Sequence, residues 1–253
     1  MDVYGLIGFP LTHSFSSKFF NNKFETENIE AEYLNFEIKD VLEIKHVVLF
    51  NQHLKGLNVT IPYKEKVIPF LNELSPEAEA IGAVNVINVE RNSGDMYFYK
   101  LTGYNTDYIG FKNSIAPLLN NSVDNKALIL GTGGASKAVA YALNELNIEW
   151  QYVSRSRKYG CFTYEDLTAD VMTKYNIIVN TTPLGTFPNI DTSPDIPYNM
   201  LTPNHILYDL VYNPNTTLFM KRGMDYGAVV KNGREMLELQ AIAAWNIWTN
   251  KDY

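Results

Sequence analysis

This chain of 253 residues has little of what several protein classes require. It holds one cysteine, Cys161, so no intramolecular disulfide can form. That excludes a small disulfide-framed domain and fits a reducing, cytosolic setting. Cys161 lies in "KYGCFTYED" with no evident base beside it, and it reads as structural. No stretch approaches the ~20 apolar residues of a membrane span. The first residues, "MDVYGLIGFP", carry no basic segment ahead of their apolar run, which argues against a secretory leader. Lys/Arg-rich blocks are missing too, and net charge is −7, so neither nucleic acid nor a membrane is an expected partner. There is no internal repeat and no low-complexity tract. No metal is expected.

What is present is a large apolar fraction, 46%, enough for packed interiors without covalent staples. The length suits two domains of ordinary size. "VYGLIGF" (3–9) reads as a buried strand, "SSKFFNNKFETENI" as a helix, and "EYLNFEI" (32–38) and "KGLNVTIP" (55–62) as alternating strands. "VNVINVE" and "MYFYKLTGY" flank "RNSG", a hairpin pattern. Residues 107–119 read as a helix starting at Asp107, and "NNSVDN" (120–125) as a polar break. Beyond it come strand 126–131, a helix to about Leu146, and apolar runs at 149–154, 176–180 and 205–212. That alternation describes a doubly wound α/β domain. A last helix spans 233–248.

One stretch, "ALILGTGGASKAVAYAL", joins a buried run to a small-residue helix through three glycines. Strand, glycine turn and helix together make a dinucleotide cradle. Gly131 permits the tight turn, Gly133 lets backbone approach a pyrophosphate, and the helix N-terminus offers unpaired N–H groups to an anion. Ser136 stands where the usual pattern has a third glycine. The following strand ends at Ser154, then "RSRK". An NAD site usually places a carboxylate there. Here Arg155, with Arg157 or Lys158, can pair with a 2′-phosphate, so NADP is the expected cofactor.

Several polar residues stand where a core would not ask for them. Ser14 and Ser16 are one residue apart, so an extended stretch would point both hydroxyls one way. Asn58, Thr60 and Lys64 lie at and beyond a strand end, Asn85 among apolar residues, and Asn105, Thr106 and Asp107 at a loop-to-helix junction. Singly, each also reads as a cap, a satisfied amide or a surface charge. Together they describe a pocket for a small polyhydroxylated anion, with Lys64 as cation and proton donor and Asp107 orienting it.

The segments "HSFS", "NVTIPYK", "AIGAVNVI", "GYNTDYIGF", "GTGGASKAV", "VNTTPLGTF", "YDLVYNP" and "NGREMLELQA" resemble, in order, those of the shikimate dehydrogenase family. The resemblance implies a two-domain α/β fold. An N-terminal α/β substrate domain with a mixed sheet would cover 1–106, with the helix of 233–253 returning to it. A Rossmann-like, doubly wound NADP-binding domain would cover 107–232, entered through the linking helix 107–119. It also implies reversible reduction of 3-dehydroshikimate to shikimate by NADPH, in a cytoplasmic monomer or homodimer of chorismate and aromatic amino acid biosynthesis. Carried over by motif, Ser14, Ser16, Thr60, Asn85, Tyr212 and Gln240 would bind substrate, with Asp107 joining them. Lys64 would be the catalytic acid/base, with Asp107 beside it. Gly131, Thr132, Gly133, Gly134 and Ala135 would hold the pyrophosphate, and Ser154, Arg155 and Ser156 the adenosine 2′-phosphate. Leu210 and Gly233 would lie near the nicotinamide. The chain departs from the pattern at Ser17, where proline is frequent, at Val86, where threonine is, and at Glu235, where a second glycine is. A quinate/shikimate dehydrogenase using NAD, or a sensor that binds such metabolites or nucleotides without catalysis, are the rival readings. Retention of Lys64 and Asp107 counts against the sensor.

Overall fold

The computed structural model describes residues 1–11, 14–91, 99–119 and 124–251. The expected hairpin turn at 92–94, the start of its second strand at 96–98 and most of the polar break (120–123) lie outside the described residues. The chain divides into two compact units, Met1–Thr106 with Ala241–Tyr253, and Asp107–Gln240. The fold is α/β, with a mixed sheet in the first unit and a doubly wound parallel sheet in the second.

The first sheet comprises β1 (Asp2–Gly8), β2 (Ala31–Glu37), β3 (Leu54–Val59), β4 (Glu73–Leu74), β5 (Val86–Arg91) and β6 (Tyr99–Tyr104), in the order β2-β1-β3-β5-β6-β4. β1 runs parallel to β2 and β3, whereas β5 runs antiparallel to both of its neighbours, β3 and β6. After its exposed first residue β1 is buried throughout, as a strand covered on both faces must be. Helix α1 (Phe15–Thr26) packs Phe20 and Phe24 against Tyr4 and Tyr33. Asn21 fixes its register on β2: its side chain accepts from Tyr33 N (2.9 Å) and donates to Tyr33 O (3.0 Å). Short helices α2 (Ile44–Phe50) and α3 (Pro76–Ile81) complete this segment. α3 has Ser75 as its N-cap, proline at its first position and Gly82 in the left-handed region at its end.

The second sheet comprises β7 (Lys126–Leu130), β8 (Glu149–Ser154), β9 (Cys161–Thr163), β10 (Ile177–Asn180), β11 (Ile206–Asp209) and β12 (Val229–Lys231). All neighbours are parallel, in the order β12-β11-β10-β7-β8-β9. The chain winds outward from β7 to β9, then restarts beside β7 at β10. The switch point therefore lies between β7 and β10, where such sheets bind ligands beyond their carboxyl ends. Helices α4 (Asp107–Ile115), α5 (Gly134–Glu145), α6 (Ala169–Lys174) and α7 (Leu218–Asp225) belong to this unit. The last helix, α8 (Arg234–Trp248), contributes Met236 to the second unit's core, and Ala241, Ala244, Trp245 and Trp248 to the first's. Trp248 Nε1 donates to Ile87 O at 3.0 Å.

Several elements end earlier than the hydrophobic pattern suggests. The helix from Asp107 stops at Ile115 and passes into a 3₁₀ turn, Ala116–Leu118, because Pro117 cannot continue an α-helix. The strand read over 205–212 stops at Asp209, whose side chain turns the chain. The pattern passes over α2, α3, α6, α7 and strands β4, β9 and β12, each eight residues or shorter.

Candidate functional site

A cavity of about 370 Å³ opens at the carboxyl ends of β7, β8 and β10. It brings together Gly131, Thr132 and Gly133 with Ser154, Arg155, Ser156 and Lys158. Tyr164 and Thr181 to Leu184 form the rest of its wall with Val153. Gly131 has φ +109°, and a Cβ there would lie 2.8 Å from Thr181 Oγ1, so both backbone and space demand glycine. Nothing stands within 4 Å of a Cβ built at Gly133, whose backbone faces open space. Gly133 is the N-cap of α5, and no side chain caps that helix. Its first amides and its positive dipole end, at Gly134 and Ala135, suit an anion. Ser136, in place of the third glycine, is fully buried and donates from Oγ to Gly133 O at 2.6 Å. It tightens the first turn where a glycine would only leave room.

The cationic corner is built by the loop after β8. Ser154 is buried, while Arg155 and Ser156 are exposed at the rim. Of the two further cations, Arg157 lies 3.8 Å from Asp166 and Lys158 lines the cavity. Lys158 Nζ donates to Thr132 Oγ1 at 3.1 Å, which joins this corner to the glycine turn. Asp166 accepts from Thr163 N and Oγ1, and these bonds hold its carboxyl below the usual range. No carboxylate lines the cavity among the described residues. The donor set therefore fits a phosphorylated dinucleotide, with the pyrophosphate at the glycine turn and extra phosphate at Arg155 and Lys158.

Leu210 and Gly233 meet directly. A Cβ at position 233 would lie 2.1 Å from Leu210 O, and Gly233 N donates to Val211 O at 3.2 Å. Glu235, beside them in sequence, is exposed and ion-paired with Lys231 one turn back. Tyr212 is 40% exposed. Gln240 is buried and its Nε2 donates to Leu237 O at 2.8 Å.

In the first unit the serine stretch is extended only at Ser14, and the helix begins at Phe15. Ser14 is the N-cap of α1 and accepts from Ser17 N at 3.0 Å, while Ser16 lies in the first turn. The two hydroxyls therefore do not share the face that alternate extended residues would, because the helix starts between them. Tyr33 Oη donates to Asn58 Oδ1 (2.7 Å), and Asn58 Nδ2 donates to Asn85 O (3.3 Å). Asn85 Oδ1 accepts from Thr106 N (2.6 Å), and its Nδ2 donates to Thr106 Oγ1 (3.0 Å). A buried chain of hydroxyls and amides thus runs from Tyr33 to Thr106, the residue before Asp107. Asp107 is itself buried and opens α4. Thr60 is half-buried, and its N–H donates to Ile7 O. Lys64 is half-buried on a fixed backbone: its carbonyl accepts from Val84 N at 2.8 Å, and Tyr63 before it donates from Oη to Ile38 O at 2.7 Å.

Sequence reasoning missed Tyr33, whose role depends on a partner 25 residues away, and Tyr164. Thr181 and Thr182 of "VNTTPLGTF" also line the cavity, a place the motif alone does not assign them. A Thr-Thr pair directly after a short buried strand was the available clue.

Comparisons with known proteins agree across the whole chain. Residues 6–87 match the family description "Shikimate dehydrogenase substrate binding domain". A shikimate dehydrogenase (NADP(+)) of Clostridium beijerinckii is 41% identical, over 98% of this chain and 92% of that protein. The crystal structure of shikimate dehydrogenase 1 from Peptoclostridium difficile superposes with a TM-score of 0.83 at 38% identity, covering 100% of this chain and 93% of that one. That of Thermus thermophilus shikimate 5-dehydrogenase, in complex with NADP(H) and shikimate, does so with 0.83 at 28% identity, covering 99% and 94%. On sequence and fold together, this chain belongs to the shikimate dehydrogenase family.

Proposed function

We infer that the protein is an NADP-dependent shikimate dehydrogenase, an oxidoreductase acting on a CH–OH group in aromatic amino acid biosynthesis. It interconverts 3-dehydroshikimate and shikimate. The observation that carries this reading, beyond family membership, is the cavity at the switch point. Its glycine turn meets an uncapped helix N-terminus, and its ribose corner holds Arg155 and Lys158 with no carboxylate among the described residues. NADPH, when bound, supplies the hydride that reduces the substrate carbonyl carbon.

The chain's own residues have three tasks. Gly131 to Ala135 bind the pyrophosphate through backbone N–H groups; Ser154, Arg155 and Ser156, with Lys158, neutralise the 2′-phosphate; Leu210 and Gly233 form a close-packed wall for the nicotinamide. Ser14, Ser16, Thr60, Asn85, Asp107, Tyr212 and Gln240 bind the substrate's carboxylate and hydroxyls. Lys64 donates a proton to the carbonyl oxygen as negative charge develops there, and takes it back in the oxidation direction. Its fixed backbone, held by Val84 and flanked by anchored Tyr63, limits where the ammonium can travel. Asp107 orients that ammonium. The domain roles follow: the first unit holds the substrate and the second the cofactor. We further propose a cytoplasmic enzyme acting as a monomer or homodimer. A single cysteine supports the compartment, and no helix among the described residues is long and apolar enough to cross a membrane.

An absorbance assay at the NADPH band tests the reading. Shikimate should drive NADP reduction with a higher kcat/KM than either quinate with NADP or shikimate with NAD. No turnover of shikimate would leave the sensor reading standing. Equal kcat/KM for the two cofactors would sink the cofactor assignment.

A further inference from the structure

Strands β10 and β11 end on the same rung, with Asn180 and Asp209 as register partners. Both side chains are fully buried. Each turns its own chain by accepting from a backbone N–H two residues on: Asn180 Oδ1 from Thr182 N (3.0 Å), Asp209 Oδ1 from Val211 N (3.0 Å). The two turns are tied together by Asn180 Nδ2, which donates to Asp209 Oδ1 at 2.9 Å. Thr182 Oγ1 adds a bond to Asn180 Oδ1 at 2.6 Å. On the other side Thr217, the N-cap of α7, donates from Oγ1 to Asp209 Oδ2 at 2.5 Å.

A fully buried carboxylate is expensive, and an apolar residue would fill the space at lower cost. An apolar residue could not accept from three separate segments. Burial pushes the Asp209 carboxyl up to about 6, with the three donors opposing, so it is still mostly ionised at neutral pH and accepts throughout. Two of the tied segments reach the cofactor region. Thr181 to Leu184 form one wall of the cavity. The Leu210–Val211 turn is the seat on which Gly233 packs.

Resting on the NADP reading of that cavity, we propose that Asp209 is a positioning residue for the cofactor. It touches no reacting atom. It fixes the loops after β10 and β11 in one relative position, so the cavity wall and the Leu210 turn are built before NADP arrives. It does not act on the loop after β8, which carries Arg155.

The test is Asp209→Asn, with NADPH and NADH binding followed by fluorescence titration beside the wild type. The expected result is a rise of about tenfold in Kd for both cofactors in parallel. The NADPH-to-NADH ratio should stay as in the wild type, and the shikimate KM should change less than about twofold. A lower Tm with unchanged cofactor Kd would overturn the proposal, since Asp209 would then serve stability alone. A loss confined to NADPH would also overturn it, because that places the effect at the 2′-phosphate. Should Asp209→Asn not fold, Thr217→Val removes one of the three bonds and should raise both Kd values about threefold, with Thr217→Ser as the wild-type-like control. Unchanged Kd in a folded Thr217→Val protein overturns the proposal equally. The wild-type titration, run alongside, separates failure of the cofactor reading from failure of this one.

Discussion

The two units hold polar groups inside apolar interiors by different chemistry. In the first, the buried chain from Tyr33 through Asn58 and Asn85 to Thr106 is built of hydroxyls and amides. Its one titratable member, Tyr33, has its pKa driven well above the ordinary tyrosine value by burial, so the whole chain stays neutral across the working pH range. In the second, the knot at Asp209 is built on a charge. A neutral network can be lengthened from link to link, because hydroxyls and amides both donate and accept. A carboxylate only accepts, so it gathers donors to one point. The first arrangement suits a row of substrate-binding groups; the second suits loops that must meet at one place.

The largest expected effect separates chemistry from binding. Lys64→Ala should lower kcat by ~10²–10⁴-fold while the shikimate KM changes much less. Circular dichroism verifies the fold, and near-normal kcat would reduce Lys64 to a surface charge. Asp107→Asn should slow turnover in the same direction.

The second prediction uses pH against the contrast itself. Asp209 titrates near 6 in the folded protein and at 3.8 as a free side chain, so between those values the folded state binds the extra proton. Its contribution to stability is therefore lowest above pH 6 and grows as pH falls towards 4. Relative to Asp209→Asn, the wild type should gain on the order of 2 kcal/mol between pH 7 and pH 4 in chemical denaturation. The gap between wild type and Tyr33→Phe should stay flat over the same range. An Asp209→Asn gap independent of pH would show that the buried charge is not the distinguishing feature.

Third in size is Arg155→Ala, which should raise the NADPH KM about tenfold and leave the NADH value nearly unchanged. Parallel loss for both cofactors would instead implicate the cavity wall. The smallest effect is expected at Tyr33. Tyr33→Phe keeps the ring stacked on Phe20 and removes only the phenol bond to Asn58. It should raise the shikimate KM about fivefold with no change in NADPH Kd. An unaltered shikimate KM would mean that Asn85 is held well enough by Thr106.

Much of the fold was legible because it rests on local pattern. The buried run to Leu130, the turn at Gly131 and the helix behind it were readable as one unit, and the second sheet follows from the alternation around it. Capping residues were present but underused. Ser75, Pro76 and Gly82 spell out α3, and Ser14 caps α1, one of the roles open to it from sequence. Asp209 was hidden inside an apolar run, "HILYDLVY", which looks like one strand until its side chain is seen to end it. The cavity's glycines and Arg155 were found from sequence, whereas the Asn180–Asp209 pair, 29 residues apart, was not. Nothing local marks two residues as rung partners in a parallel sheet; only the strand order does.

Helix α8 gives the chain a temporal asymmetry. The aromatic cluster of Tyr4, Phe20, Phe24 and Tyr33 is closed by Ala241, Ala244, Trp245 and Trp248. Between the two contributions lies the whole of Asp107–Gln240. On a ribosome the first unit must therefore wait with an open aromatic face while the second is made, an interval of roughly ten seconds at ordinary elongation rates. The unit that is synthesised first is the one that finishes last, and during that wait Tyr4 and Phe20 are exposed to whatever binds nascent apolar surface.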